Sequence, residues 1–293
     1  MPIIPPSYKS SVSPSSYPTI PPSFQASDIL TPGTISSPGA VCIDSANTLY
    51  IADSSTNVIY KVSAAGVKST LSGILGATPY GLASTARGIF VSTSNSTSGS
   101  VYLLNSTTGS LISVVTSYSW KAPREISSDG GDRVFIADSG TNQIVVIRVN
   151  DLSNPRNYTI KVSGLMGVAV SNGASDIFYT ESNPLGVYDL KNDRLISSDF
   201  SNPNSVALDS MGNVYVTDYA RNAVYKISNS SSGASSPVSI LSVNQPTGIV
   251  FLSSGALVVV AKNSGSGRVI IARSFVFCIN YYIISYHINI YYL

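Results

Sequence analysis

The chain has 293 residues, of which 43% are apolar and 11% charged, with a net charge of +2. That charged share is less than half the usual about 25%, and Lys and Arg are scattered, so the clustered positive surface that a phosphate backbone requires is not foreseen. The single histidine is His287, in the last segment. The rest of the chain therefore offers no histidine to activate a Ser or Cys nucleophile or to ligate zinc.

Residues 1–26 are rich in Pro and Ser, which reads as extended or disordered chain. They lack the apolar stretch of a signal peptide. Next, Ser27-Asp28-Ile29-Leu30 has the character of a short strand, placed just ahead of a repeat. Six segments then share one pattern: a Pro and a small residue, a short apolar strand, a turn, a second strand ending near an acid, a polar loop and a third strand. Their anchors are Pro38, Pro79, Pro123, Leu165, Pro203 and Pro246, spaced 41, 44, 42, 38 and 43 residues apart. Between them lie fourth-strand candidates such as 68–74, 111–117 and 238–243. A period of about 40–45 residues with four strands per copy is the signature of a propeller blade. The expected fold is all-β: a six-bladed β-propeller over 27–273. An open ring would expose sheet edges, so residues 27–30 are expected to supply the missing outer strand of the sixth blade.

Certain columns of the repeat carry physical meaning. Tyr50, Phe90, Phe135, Phe178, Tyr215 and Val258 recur in the second strand and are expected to pack between blades. An acidic column reads Asp53, Thr93, Asp138, Glu181, Asp218 and Lys262. Three of its members precede Asn57, Asn142 and Asn222, as suits hairpin loops held by Asx side chains. A column after the first strand, with Asp44, Asp129 and Asp209, reads as turn chemistry on the opposite face. The position after each anchor holds Gly39, Tyr80, Arg124, Met166, Asn204 and Thr247. Such free variation fits a residue lining the mouth of the ring.

The Pro-x-Gly-like start and second strands such as Leu49-Tyr50-Ile51-Ala52-Asp53, Val134-Phe135-Ile136-Ala137-Asp138 and Val214-Tyr215-Val216-Thr217-Asp218 resemble the NHL repeat. The resemblance spans roughly 28–273; copies one, three and five match well, and two, four and six depart from it. It implies four-stranded NHL-like blades in a six-bladed ring and no single function. Propellers of this kind serve as ligand sensors, as scaffolds for protein or RNA and, in distant relatives, as enzymes. Amidating lyases of similar architecture depend on His ligands, which the ring lacks.

The breaks in the repeat are the candidate contacts: Tyr80, Trp120, Arg124, Glu125, Tyr219, Arg221 and Lys262. Trp, Tyr and Arg are favoured anchors of binding surfaces. The leading expectation is a non-enzymatic scaffold, a monomer presenting its mouth to a protein, peptide or glycan, without nucleic acid or membrane as partner. The alternative is a lactonase or strictosidine-synthase-like hydrolase or lyase using mouth carboxylates, with or without a divalent metal. No cofactor is expected, calcium being the one candidate should Asp53, Asp138, Glu181 and Asp218 converge. Sequons at Asn95, Asn105, Asn157 and Asn229 and the low charge lean towards secretion or the cell surface, with the signal sequence missing from this chain. Cys42 reads as a small core residue; Cys278 is far away in sequence. Residues 274–293 are apolar and rich in Tyr, Ile and Asn. They are near the length of a membrane span but poorly suited to one. Their residue types belong mostly to AT-rich codons, pointing to translated intron or alternative 3′ sequence.

Overall fold

The computed structural model describes residues 24–72, 76–95, 98–159, 163–228 and 236–274. Residues 1–23 and 275–293, with Cys278 and His287, lie outside the described residues, as does Asn229. Strand β1 (Phe24–Asp28) comes first. Blade 1 follows with β2 (Pro38–Ile43), β3 (Leu49–Asp53), β4 (Val58–Val62) and β5 (Lys68–Ser72). Blade 2 is β6 (Thr78–Thr85), β7 (Gly88–Ser94), β8 (Gly99–Leu104) and β9 (Leu111–Val114). Blade 3 is β10 (Pro123–Ser128), β11 (Arg133–Asp138), β12 (Gln143–Arg148) and β13 (Asp151–Thr159). Blade 4 is β14 (Ser163–Val170), β15 (Ile177–Asn183), β16 (Leu185–Asp189) and β17 (Arg194–Ser197). Blade 5 is β18 (Pro203–Leu208), β19 (Val214–Asp218), β20 (Ala223–Ile227) and β21 (Val238–Ser242). Blade 6 is β22 (Pro246–Phe251), β23 (Leu257–Ala261), β24 (Arg268–Ser274) and, outermost, β1. Each blade is an antiparallel four-stranded sheet, a meander of consecutive strands in blades 1 to 5, and the six make a β-propeller.

The closing strand begins at Phe24, three residues earlier than its sequence signal, and pairs antiparallel with β24 from Phe24↔Ser274 to Asp28↔Ile270. Its end is fixed by a two-pronged ion pair, Arg268 Nε and Nη2 donating to Asp28 at 2.9 and 3.0 Å. Among the described residues no helix is long and apolar enough to cross a membrane.

The core is a set of inter-blade layers. Phe135 packs with Leu165, Val168 and Tyr179 of blade 4, and Tyr215 with Ile249 and Val259 of blade 6. Val258 meets Val41 and Ile51 of blade 1, so the same contact closes the ring. Burial of one large apolar side chain per interface supplies the adhesion that a lone blade lacks. Cys42 is a free, buried thiol in the blade 1–2 layer.

The acidic column performs one structural task. Asp53 accepts hydrogen bonds from the N–H groups of Ser36, Ser37 and Ser55, Asp138 from Lys121, Ala122 and Gly140, and Asp218 from Ser201, Asn202 and Arg221. Each carboxylate thus pins the loop entering its own blade. Desolvation pushes Asp53 up, but the bonds from Ser55, Ser36 and Ser37 outweigh it and hold the carboxyl below the usual range. Asn57, Asn142 and Asn222 take left-handed φ of 56°, 53° and 55°, a conformation Asn tolerates better than most residues.

Glu181 occupies the acidic column in blade 4 but pins nothing. It is fully buried, and neither carboxylate oxygen has a hydrogen-bond partner. Burial raises its pKa to about 7. A carboxyl raised in the fold favours the protonated state. Its contribution is therefore complete below the unfolded value near 4.5 and is lost as pH rises through about 7. The Glu181 share of the fall in the unfolding midpoint between pH 5 and pH 8 should be something on the order of 5 °C, and Glu181→Gln should reduce the slope by that share, leaving the part that Glu125, raised to about 8, contributes. An equally steep slope in Glu181→Gln, measured by calorimetry across this range, would assign the dependence to other groups.

Candidate functional site

A cavity of about 240 Å³ opens at the mouth of the ring. All six post-anchor residues line it: Gly39, Tyr80, Arg124, Met166, Asn204 and Thr247. The backbone positions them. Hydroxyls of the second strand bond to post-anchor carbonyls in the next blade: Thr180 Oγ1 to Asn204 O at 2.9 Å, Thr217 Oγ1 to Thr247 O at 3.2 Å, and Ser92 Oγ to Arg124 O. Thr247 Oγ1 donates in turn to Pro38 O at 2.8 Å, joining blade 6 to blade 1.

A second column, immediately after the acidic one, completes the wall with Ser54, Tyr219 and Lys262. This corrects the placement of Lys262 in the acidic column. Pro246 pairs with Ala261 just as Pro38 pairs with Asp53, so Ala261 holds that place in blade 6. The backbone N–H of Lys262 donates to Gln245 O, as that of Ser54 does to Ser37 O and that of Tyr219 to Asn202 O. Among the described residues the Lys262 ammonium, the Tyr219 hydroxyl and the side-chain amides of Asn202 and Asn204 make no hydrogen bond or ion pair. Arg124 is better anchored, with its guanidinium 4.3 Å over the Tyr80 ring and Nε donating to Ser139 Oγ at 3.3 Å.

Glu125 closes the floor. Two residues after the other anchors stand Ala40, Gly81, Gly167, Ser205 and Gly248, all small. Glu125 extends from blade 3 past Gly167 of blade 4 to blade 5. Its Oε2 accepts from Val168 N–H at 3.0 Å and Val206 N–H at 3.4 Å, and Oε1 is bonded to Ser205 Oγ. A Cβ on Gly167 would lie 2.6 Å from Oε2, so blade 4 must carry glycine there. Burial raises the pKa of Glu125 to about 8, against the opposing pull of Ser205, Val206 and Val168. Glu125 also borders the cavity of about 350 Å³ on the other side, walled by Val41, Leu82, Ile126 and Val206. It stands at the neck between the two, and among the described residues it is the one acid lining the mouth cavity.

Of the candidate contacts, Tyr80, Arg124, Glu125, Tyr219 and Lys262 meet in this cavity. Trp120 and Arg221 do not. Trp120 is buried between blades 2 and 3, with its ring centroid 4.7 Å from that of Tyr118 and its Nε1 donating to Val115 O at 3.0 Å. Arg221 turns outward to Asp199, donating to its carbonyl and carboxylate, both at 2.8 Å. Sequence reasoning passed over Ser205 and Asn202, which look like ordinary repeat residues until the ring brings Ser205 onto Glu125 and Asn202 into the wall of the same cavity. Asp53, Asp138, Glu181 and Asp218 stay apart, and among the described residues no group of three or more His, Cys, Asp or Glu could hold a metal ion. Of the sequons, Asn95 and Asn157 are exposed, whereas Asn105 uses Oδ1 to accept from the N–H groups of Thr107 and Thr108.

Comparison with known proteins gives the ring its context. The PQQ-bound aldose sugar dehydrogenase of Streptomyces coelicolor is 12% identical, with 86% of this chain covering 98% of that one at a TM-score of 0.67. A gluconolactonase of Xanthomonas campestris is 10% identical, with 86% and 89% covered and a TM-score of 0.67. Virginiamycin B lyase of Staphylococcus aureus is 12% identical, with 86% and 100% covered and a TM-score of 0.58. At these identities the likeness establishes the fold. No curated protein matches the chain. The comparisons correct two expectations. The similar structures are mainly enzymes, which overturns the non-enzymatic scaffold as the leading reading. One of them is a PQQ-bound form, which overturns the expectation of no cofactor beyond calcium. The model of the NHL repeat matches residues 200–226, so the chain carries an NHL repeat in blade 5 of a six-bladed β-propeller.

Proposed function

We propose that this propeller is a hydrolase of small polar lactones, working in the mouth-face cavity with Glu125 as its proton-transfer group. The observation that carries this reading is the placement of Glu125: a lone, desolvated carboxyl on a floor of small residues, facing uncommitted polar side chains. A general base works best with a pKa near the operating pH. At pH 7 a carboxyl of pKa about 8 is ionised in about a tenth of the molecules, yet it is then a far stronger base than an ordinary glutamate.

The chemistry follows from the lining. The Glu125 carboxylate takes a proton from water, whose oxygen attacks the lactone carbonyl. The ammonium of Lys262 or the guanidinium of Arg124 stabilises the oxyanion that forms. As the ring C–O bond breaks, Glu125 returns the proton to the departing alkoxide, so the products are one hydroxy acid and an unchanged enzyme. Tyr219, Asn202 and Asn204 offer hydrogen bonds to substrate hydroxyls. Lys262 and Arg124 would also hold the carboxylates of an anionic quinone cofactor such as PQQ, which when bound supplies a two-electron acceptor.

The test is a hydrolysis screen of aldonolactones and simple γ- and δ-lactones with purified protein, with and without EDTA. Turnover of at least one lactone is expected, with kcat/KM rising as pH passes through about 8. Failure to open any of them above the uncatalysed rate would overturn the reading.

A further inference from the structure

Away from the mouth, on the flank of the ring, a cleft of about 160 Å³ lies between blades 3 and 4. Three arginines line it, Arg133, Arg148 and Arg156, beside Asn154 and Tyr158. They are 15 and 8 residues apart in sequence, so no basic run announces them. Strand register assembles them. Arg133 pairs with Arg148 across β11 and β12, and Arg156 pairs with Val146 on the adjoining strand, which puts all three on the face turned to blade 4. Like charges directly opposite on a sheet repel, and the hydropathy of the repeat gives no reason to place them there.

Their own counter-ions leave this charge incompletely met. Arg133 is committed to Asp129 at 2.7 Å and to Gly173 O at 2.7 Å. Arg148 meets Asp132 at 3.6 Å, a carboxylate that also accepts from Asn150, and has Asp151 as its cross-strand neighbour. Neither Asp129 nor Asp132 lines the cleft. Among the described residues the side chains of Arg156 and Asn154 have no hydrogen-bond or ion-pair partner, and both residues are exposed. Tyr158, 45% exposed, and the ring of Phe135 provide flat sides next to the guanidinium groups. The volume far exceeds the about 10–15 Å³ needed by one water.

We infer that this cleft binds a small oxyanion ester, a phosphate or sulfate group carried on a sugar or an aromatic ring, with Arg156 and Arg148 as its charged contacts and Tyr158 against the ring. Guanidinium forks match tetrahedral oxyanions in charge and in hydrogen-bond geometry. The site is independent of the lactone reading, since none of its residues lines the mouth.

The experiment titrates the whole protein with inorganic phosphate and, separately, with inorganic sulfate at constant ionic strength set by chloride. Binding is read from amide chemical shifts, with Arg156→Ala, Arg156→Lys and Arg148→Ala as variants. Saturable shifts confined to β12 and β13 are expected with at least one oxyanion. Arg156→Ala should weaken them about tenfold or more, and Arg156→Lys should recover part of the loss. A response to phosphate alone, to sulfate alone or to both tells the ester class. Shifts no larger than those from chloride, or unchanged affinity in Arg156→Ala, would overturn the inference.

Discussion

Replacing Glu125 with Gln should lower kcat/KM for any lactone the protein opens by about 10²–10⁴-fold, the usual worth of a positioned general base. The substitution is close to isosteric, and the amide oxygen can still accept from Val168 N–H and Val206 N–H, so the floor of the cavity keeps its shape. What disappears is the proton acceptor. The residual rate should also lose the rise with pH that a carboxyl of pKa about 8 imposes. A steady-state pH profile of the two proteins decides the matter. If Glu125→Gln retained both the rate and the profile, Glu125 would be a structural brace between blades 3 and 5, and the base would have to be sought elsewhere.

Phe135→Ala should produce one of the larger losses of stability among single changes in the ring. The side chain is 1% exposed and fills the layer between blades 3 and 4, against Leu165, Val168 and Tyr179. Truncating a buried Phe costs about 3–5 kcal/mol, the transfer free energy and the cavity left behind together. For a domain of this size each kcal/mol lowers the unfolding midpoint by about 2–4 °C, so thermal melts should shift by roughly 6–20 °C. Activity at 20 °C should persist, because the post-anchor residues are tied by hydroxyl-to-carbonyl bonds that Phe135 does not make. A shift of less than about 2 °C would mean that neighbouring blades relax into the space and that adhesion is not concentrated in this column.

The ring itself was legible because each blade repeats the same physical problem. An anchor, two strands and a pinned loop recur at a spacing that only stacked four-stranded sheets explain, and the large residue of the second strand marks each interface. The mouth was legible through its variability: the post-anchor column has no structural duty beyond its backbone, and it lines the cavity in every blade. Errors arose where a side chain's destination depends on a loop or a register. Trp120 lies in the longest inter-anchor spacing and folds back between blades 2 and 3. Lys262 was misaligned by one position because Ala261 replaces the acid in copy six and leaves nothing to mark the column. Ser205 is one of several small residues after an anchor, and nothing local shows that a glutamate from two blades away ends on its hydroxyl. The three arginines of the flank cleft are likewise neighbours only through cross-strand pairing.

The seam between β1 and β24 has a kinetic meaning. In Arg268 and Asp28 it joins positions 240 residues apart, so closing it pays nearly the largest loop-closure entropy available to the chain. The other blades are meanders of consecutive strands and can form in the order they emerge from the ribosome. Blade 6 cannot be completed that way, since its outermost strand is made first and must wait for the last blade. Until then β24 offers an unpaired edge, and the partly formed ring is open to pairing with the β1 of another copy, the route by which domain swapping begins.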